Sequence, residues 1–183
     1  MNQRRIAVVV GSLRRESYNR QLANAIKKLA PQNFTLYDVR IDDLPLYNQD
    51  DDANQAEPVK RLKNEIASSD GVVFVTPEYN RSVPGVLKNA IDHASRPYGQ
   101  NSWKGKPAGV LGASVGAAGT SMAQQHLRNI LAYLDAPALC QPEVFVQVKP
   151  GLFDQDGKIA NADTNKFLQA WVDSFSAWVE RFA

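Results

Sequence analysis

Three stretches of this chain combine short polar side chains, stiffened backbone and missing bulk. The first is Gly11-Ser12-Leu13-Arg14-Arg15-Glu16-Ser17-Tyr18-Asn19. It follows an apolar run and opens a helical pattern, so its backbone N–H groups and the helix dipole form an anion site. Ser12, Ser17 and Asn19 add hydrogen-bonding groups, and Arg14 adds a full charge. The Gly-Lys-Ser/Thr ending that grips β and γ phosphates is missing, and so are the second and third glycines of a dinucleotide fingerprint. What remains suits a compact terminal monophosphate; a helix-capping turn is the plain alternative.

The second stretch is Thr76-Pro77-Glu78-Tyr79-Asn80-Arg81-Ser82-Val83-Pro84. Prolines at both ends stiffen it, which suits a loop that presents backbone amides to a flat polar ring. Tyr79 offers an aromatic face and Asn80 both a donor and an acceptor. The third, Ser114-Val115-Gly116-Ala117-Ala118-Gly119-Thr120-Ser121, has almost no bulk, so a ligand ring can lie close to its backbone. Taken singly, a stiff connection and a close helix–strand packing explain these two loops as well.

The elements that must position these loops alternate short apolar runs with helical patterns, the signature of parallel βαβ construction. Ile6 to Val10 is continuously apolar, as a strand buried on both faces should be. Further strands are expected at Phe34–Val39, Gly71–Val75, Ala108–Ala113 and within Pro142–Val148. Helices are expected from about Asn19 (Leu22, Ile26, Leu29), around Val59, Leu62 and Ile66, and from Val83 to Ala94 (Leu87, Ile91), with Ser82 as N-cap and Pro84 in the first turn. Two more follow, one with Leu127, Ile130, Leu131 and Leu134. The last carries Leu168, Trp171, Val172, Phe175, Val179 and Phe182 as a core stripe. Asp42 to Glu57 reads as a surface loop whose run Asp50-Asp51-Asp52 is solvated. Five strands with intervening helices make a doubly wound α/β sheet, whose ligands bind beyond the carboxyl ends of the strands. A single domain over 1–183 is expected.

Composition narrows the function. A formal charge of +2 without a basic stripe argues against a nucleic-acid binder, and it also sits badly with a strongly acidic electron carrier. No apolar run reaches the roughly 18 residues that cross a bilayer. One cysteine, Cys140, permits no intrachain disulfide, which fits a reducing, cytoplasmic setting; an inert, partly buried thiol is expected. His93 and His126, expected to lie away from the loops, make a poor metal pair, and no metal site is expected. Tyr98 and Trp103 could rim a pocket or a subunit contact. No Ser/His/Asp constellation competes with a cofactor.

Together the loops carry a resemblance. Gly11-Ser12-Leu13-Arg14 with Ser17 and Asn19, then Pro77-Glu78-Tyr79-Asn80-Arg81-Ser82-Val83-Pro84-Gly85 and Leu87-Lys88-Asn89-Ala90-Ile91-Asp92, resemble the NAD(P)H-dependent FMN reductases over nearly the whole chain. Within that family the chain is most similar to bacterial chromate and quinone reductases. The resemblance implies a flavodoxin-like sheet of order 2-1-3-4-5. It implies that Ser12, Arg14, Ser17 and Asn19 hold the FMN phosphate, with Leu13 and Tyr18 beside them. Pro77, Glu78, Tyr79 and Asn80 would line the isoalloxazine, and Ser114 and Gly116 would flank it. Ala117-Ala118 departs from the paired glycines usual there, which bears on the shape of the acceptor pocket. The expected activity is ping-pong, two-electron transfer from NADH or NADPH to quinones, chromate or other small acceptors by a homo-oligomer, dimer or tetramer. No protein side chain is expected to be an indispensable acid or base. Two rivals are a Rossmann dehydrogenase using Asp38 and a flavodoxin-type single-electron carrier between proteins.

Overall fold

The computed structural model describes residues 2–183. Its elements are β1 (Arg4–Val10), α1 (Tyr18–Leu29), β2 (Phe34–Val39), α2 (Glu57–Ala67), β3 (Gly71–Val75), α3 (Gly85–Ser95), β4 (Ala108–Ser114), α4 (Ser121–Tyr133), β5 (Phe145–Gln147) and α5 (Ala162–Glu180). The five strands form one sheet of order β2-β1-β3-β4-β5, and every pairing is parallel.

Continuous burial in the central strands follows from cover on both faces. Ile6, Val8 and Val10 point to one side, where Leu22 and Ile26 of α1 and Trp171 and Phe175 of α5 complete a core cluster. Ala7 and Val9 point to the other, against Leu62 and Ile66 of α2, Leu87 and Ile91 of α3, and Leu127 and Leu131 of α4. The alternation is the period-2 geometry of a strand, and each helix supplies one apolar stripe. From β1 the chain moves outward to β2, then returns to the far side of β1 at β3. The switch point, with its crevice, therefore lies between β1 and β3.

Several boundaries differ from expectation for local reasons. Helix α1 starts at Tyr18 because Ser17 is its N-cap, accepting from the Arg20 N–H at 3.3 Å. Helix α3 starts at Gly85 after Pro84; Ser82 is not its cap and is held elsewhere. The Asp42–Glu57 segment contains a 3-10 turn, Gln49–Asn54, and the three aspartates sit in its first turn, where a helix N-terminus favours negative charge. Phe182 lies past α5 and is exposed, so the core stripe ends at Val179. Trp103 is fully buried against Phe74 and donates to the Ile91 carbonyl at 3.0 Å; it rims no pocket.

Candidate functional site

The first loop leaves β1 at Gly11, whose N–H donates to the Val75 carbonyl and ties the turn to β3. Between Gly11 and the cap at Ser17, the N–H groups of residues 12–16 find no hydrogen-bond acceptor among the described residues. The Ser12 side chain is buried, yet its hydroxyl has no partner there either. Five uncommitted amides and a free hydroxyl lie beside the N-terminus of the 12-residue helix α1, a donor set of the kind that suits an anion. Arg14 is exposed and rests its guanidinium 5.0 Å from the Tyr18 ring centroid, with no carboxylate partner. A monophosphate fits this donor set.

Asn19, expected at the phosphate, also ties two elements together. Its carboxamide is buried and engaged at both ends: Nδ2 donates to the Ala113 carbonyl at 2.9 Å, and Oδ1 accepts the Ala113 N–H at 2.8 Å. It mimics a strand neighbour and locks α1 to the end of β4. The first and third loops are thereby held in fixed register.

The second loop owes its shape to a tight hairpin turn as well as to its prolines. Tyr79 and Ser82 exchange both N–H···O bonds at 3.0 Å, with Asn80 at φ 51° and Arg81 at φ 64° between them. Two positive φ angles at the central positions are the geometry of a type I′ turn; asparagine tolerates this region and arginine does not favour it. The amides of Glu78 and Asn80 have no acceptor among the described residues.

The Glu78 side chain does something the sequence did not announce. Its Oε2 accepts the N–H groups of Met122 at 3.0 Å and Ala123 at 3.1 Å. These are first-turn donors of α4, and Thr120, the N-cap, provides no side-chain bond. Glu78 thus caps α4 from another loop. Ser82 Oγ lies 3.0 Å from His126 Nδ1, a second tie to α4. His126 therefore touches the second loop, contrary to the expected remoteness. His93 is structural, with Nε2 2.9 Å from the Pro45 carbonyl.

The strand that leads into the third loop needs a glycine. A Cβ on Gly112 would collide with the Thr76 carbonyl oxygen and the Thr120 hydroxyl, so β4 passes flush against the start of the second loop. Gly116 donates to Ser114 Oγ at 3.2 Å, and Gly116 to Ala118 are exposed. Each loop also exposes one apolar side chain by more than half: Leu13 at 51%, Tyr79 at 52% and Val115 at 65%. Free amides flanked by exposed apolar groups suit a flat heteroaromatic ring whose edge carries acceptors.

The remaining candidates fall away from the site. Asp38 is bound by Arg20 at 2.7 Å and Lys27 at 2.6 Å, which occupies the carboxylate the dehydrogenase reading required. Cys140 is exposed, not partly buried. Tyr98 is 87% exposed and touches none of the three loops through a hydrogen bond. Among the described residues no group of three or more His, Cys, Asp or Glu could hold a metal ion.

A doubly wound parallel sheet of order 2-1-3-4-5 with unpaired backbone donors beside its switch point defines the class: a flavodoxin-like mononucleotide-binding protein. The family model for NADPH-dependent FMN reductase matches residues 4–151, and the chain belongs to that family. It is 53% identical over 175 residues to a 2-hydroxy-1,4-benzoquinone reductase from Burkholderia sp, covering 96% of each chain. It is also 53% identical to a quinone reductase from Pseudomonas putida, covering 96% of this chain and 94% of that one. The flavoenzyme NAD(P)H:(acceptor) oxidoreductase FerB from Paracoccus denitrificans superposes with a TM-score of 0.94 at 46% identity, covering 98% of both chains. The chain is an FMN-dependent NAD(P)H oxidoreductase.

Proposed function

We propose that residues 1–183 work as one flavin-binding unit that takes electrons in pairs from NADH or NADPH and passes them to small acceptors, quinones foremost and chromate among the others, in ping-pong order. The observation that carries this reading is the donor-lined loop at residues 12–16, with an exposed apolar side chain on each of the three loops. The quinone reductases among its relatives support the acceptor class.

FMN, when bound, supplies the hydride-accepting and hydride-donating chemistry. The protein's own groups position it. Ser12, the loop amides and Arg14 hold the phosphate, Ser17 and Tyr18 open the helix beneath it, and the Glu78 and Asn80 amides offer donors to the ring edge. Leu13, Tyr79 and Val115 keep water from its flanks, and Ser114 and Gly116 leave room for it. With one cradle occupied by one nucleotide, donor and acceptor must take turns at the same exposed face. No protein acid or base is assigned as indispensable.

The same reading has the chain associate into a dimer or tetramer. No helix among the described residues is long and apolar enough to cross a membrane. The one cysteine, Cys140, a free thiol, supports a cytoplasmic setting.

Steady-state turnover with each nucleotide against benzoquinones, free FMN and chromate tests the reading. Parallel double-reciprocal lines with quinones turned over fastest are expected. Lines that converge, or nucleotide oxidation that needs no acceptor of this kind, would overturn it.

A further inference from the structure

The second loop is gripped at both ends by one helix. Just before the turn, Glu78 Oε2 accepts the Met122 and Ala123 N–H groups at 3.0 and 3.1 Å. At its far end, Ser82 Oγ lies 3.0 Å from His126 Nδ1. Met122 and His126 are four residues apart on α4, so both contacts fall on one face of the helix. His126 is exposed and has no other hydrogen-bond partner among the described residues.

What the grip holds is strained backbone. Asn80 and Arg81 lie between the two anchors at φ 51° and 64°, and residues with side chains persist there only where their surroundings fix them. The two backbone bonds between Tyr79 and Ser82 do part of that work. They also set the direction of a donor. In a trans peptide the C=O and the N–H that follows it point to opposite sides. The Tyr79 carbonyl is turned inward to accept the Ser82 N–H at 3.0 Å. The Asn80 N–H is therefore turned outward, and it has no acceptor among the described residues. Ser82 thus aims the Asn80 donor, and His126 secures Ser82 from outside the turn.

We propose that His126 is a positioning residue for the flavin: through Ser82 it keeps the Asn80 N–H aimed at the ring edge, where that donor favours the reduced over the oxidised cofactor. Reduction adds negative charge to the ring, and a hydrogen bond to a charged acceptor is the stronger one. This role rests on the reading of the second loop as the lining of the ring, and deepens it. His126 touches neither flavin nor substrate in this role; it acts through the turn.

The test titrates apoprotein by anaerobic calorimetry with oxidised FMN and with FMN reduced beforehand by dithionite. The proteins are wild type, H126L, H126N, S82A and the H126L/S82A double variant. N129L, at another exposed position of α4, controls for a surface leucine. Wild type is expected to bind reduced FMN more tightly than oxidised FMN. In H126L and S82A the affinity for reduced FMN should fall about threefold to tenfold, the effect of one hydrogen bond. Oxidised FMN, held mainly at the phosphate, should change by less than about twofold. The midpoint potential of the bound flavin falls with that ratio. The double variant should lose no more than either single one, because both cut the same link. H126N keeps a polar atom near the place of Nδ1 and should restore most of the loss, and N129L should match wild type. A wild type that binds neither form fails the flavin reading itself, before His126 is tested. With FMN bound, any of four results would overturn the proposal: reduced and oxidised forms weakened alike, no change in H126L and S82A, losses that add in the double variant, or H126N no better than H126L.

Discussion

The charge on Arg14 is uncommitted within the protein, whereas the charge on Glu78 is spent on two backbone amides of α4. The two residues were read from the sequence with equal ease as part of one site, and they do different work. Arg14, Ser12 and the loop amides were legible because their function is local: a polar turn between a strand and a helix presents its donors wherever it occurs. Glu78 and Asn19 were not, because their partners lie 44 and 94 residues away and no spacing rule connects them. Replacing Arg14 with alanine should weaken FMN binding by about 1.5–3 kcal/mol, read by fluorescence titration of the apoprotein. Replacing Glu78 with alanine should instead lower stability by about 0.5–2 kcal/mol, the usual cost of a lost helix cap, with glutamine in between because it keeps an acceptor oxygen. Equal melting temperatures for the Glu78→Ala variant and wild type would refute the capping role.

At the scale of elements, the apolar runs predicted the five strands well, since strands covered on both faces cannot be anything but continuously apolar. The second loop was less legible. Its stiffness was read from two prolines, but the type I′ turn at Asn80-Arg81 has an arginine where glycine is the usual sign. The tightness of β4 against Thr76 comes from Gly112, which lies outside the small-residue stretch Ser114–Ser121 and is one small residue within an apolar run. Gly112→Ala should cost about 1–3 kcal/mol or more, because the added methyl meets a carbonyl oxygen and a hydroxyl that cannot both retreat. Chemical denaturation measures it directly. The sheet is also pinned at its other end: Arg4 on β1 donates to Glu180 on α5 through Nε at 3.2 Å and Nη2 at 2.8 Å. That hydrogen bond holds the Glu180 carboxyl below its usual range. A folded pKa below the unfolded one means that the contribution is fully present above the ordinary carboxylate value and is lost as pH falls through the folded value. The stability difference between wild type and Glu180→Gln should therefore be small and constant near neutrality and should shrink on acidification. A difference that grows toward acid would contradict the assignment.

On the scale of the whole molecule, the sheet puts its switch point between β1 and β3, Asn19 and Glu78 tie the three loops together there, and the amides of residues 12–16 stay unpaired. A single-electron carrier would share the sheet and the cradle, so the fold does not separate the two readings; the way electrons enter does. The most direct test is an anaerobic titration of the FMN-loaded protein with NADH and with NADPH, followed by absorbance and then by addition of a benzoquinone. The account predicts that at least one nucleotide bleaches the flavin band completely at one equivalent, with no long-wavelength radical absorbance on the way, and that the quinone restores the band at once. A flavin band that neither nucleotide bleaches, or a radical band that persists at half reduction, would contradict it.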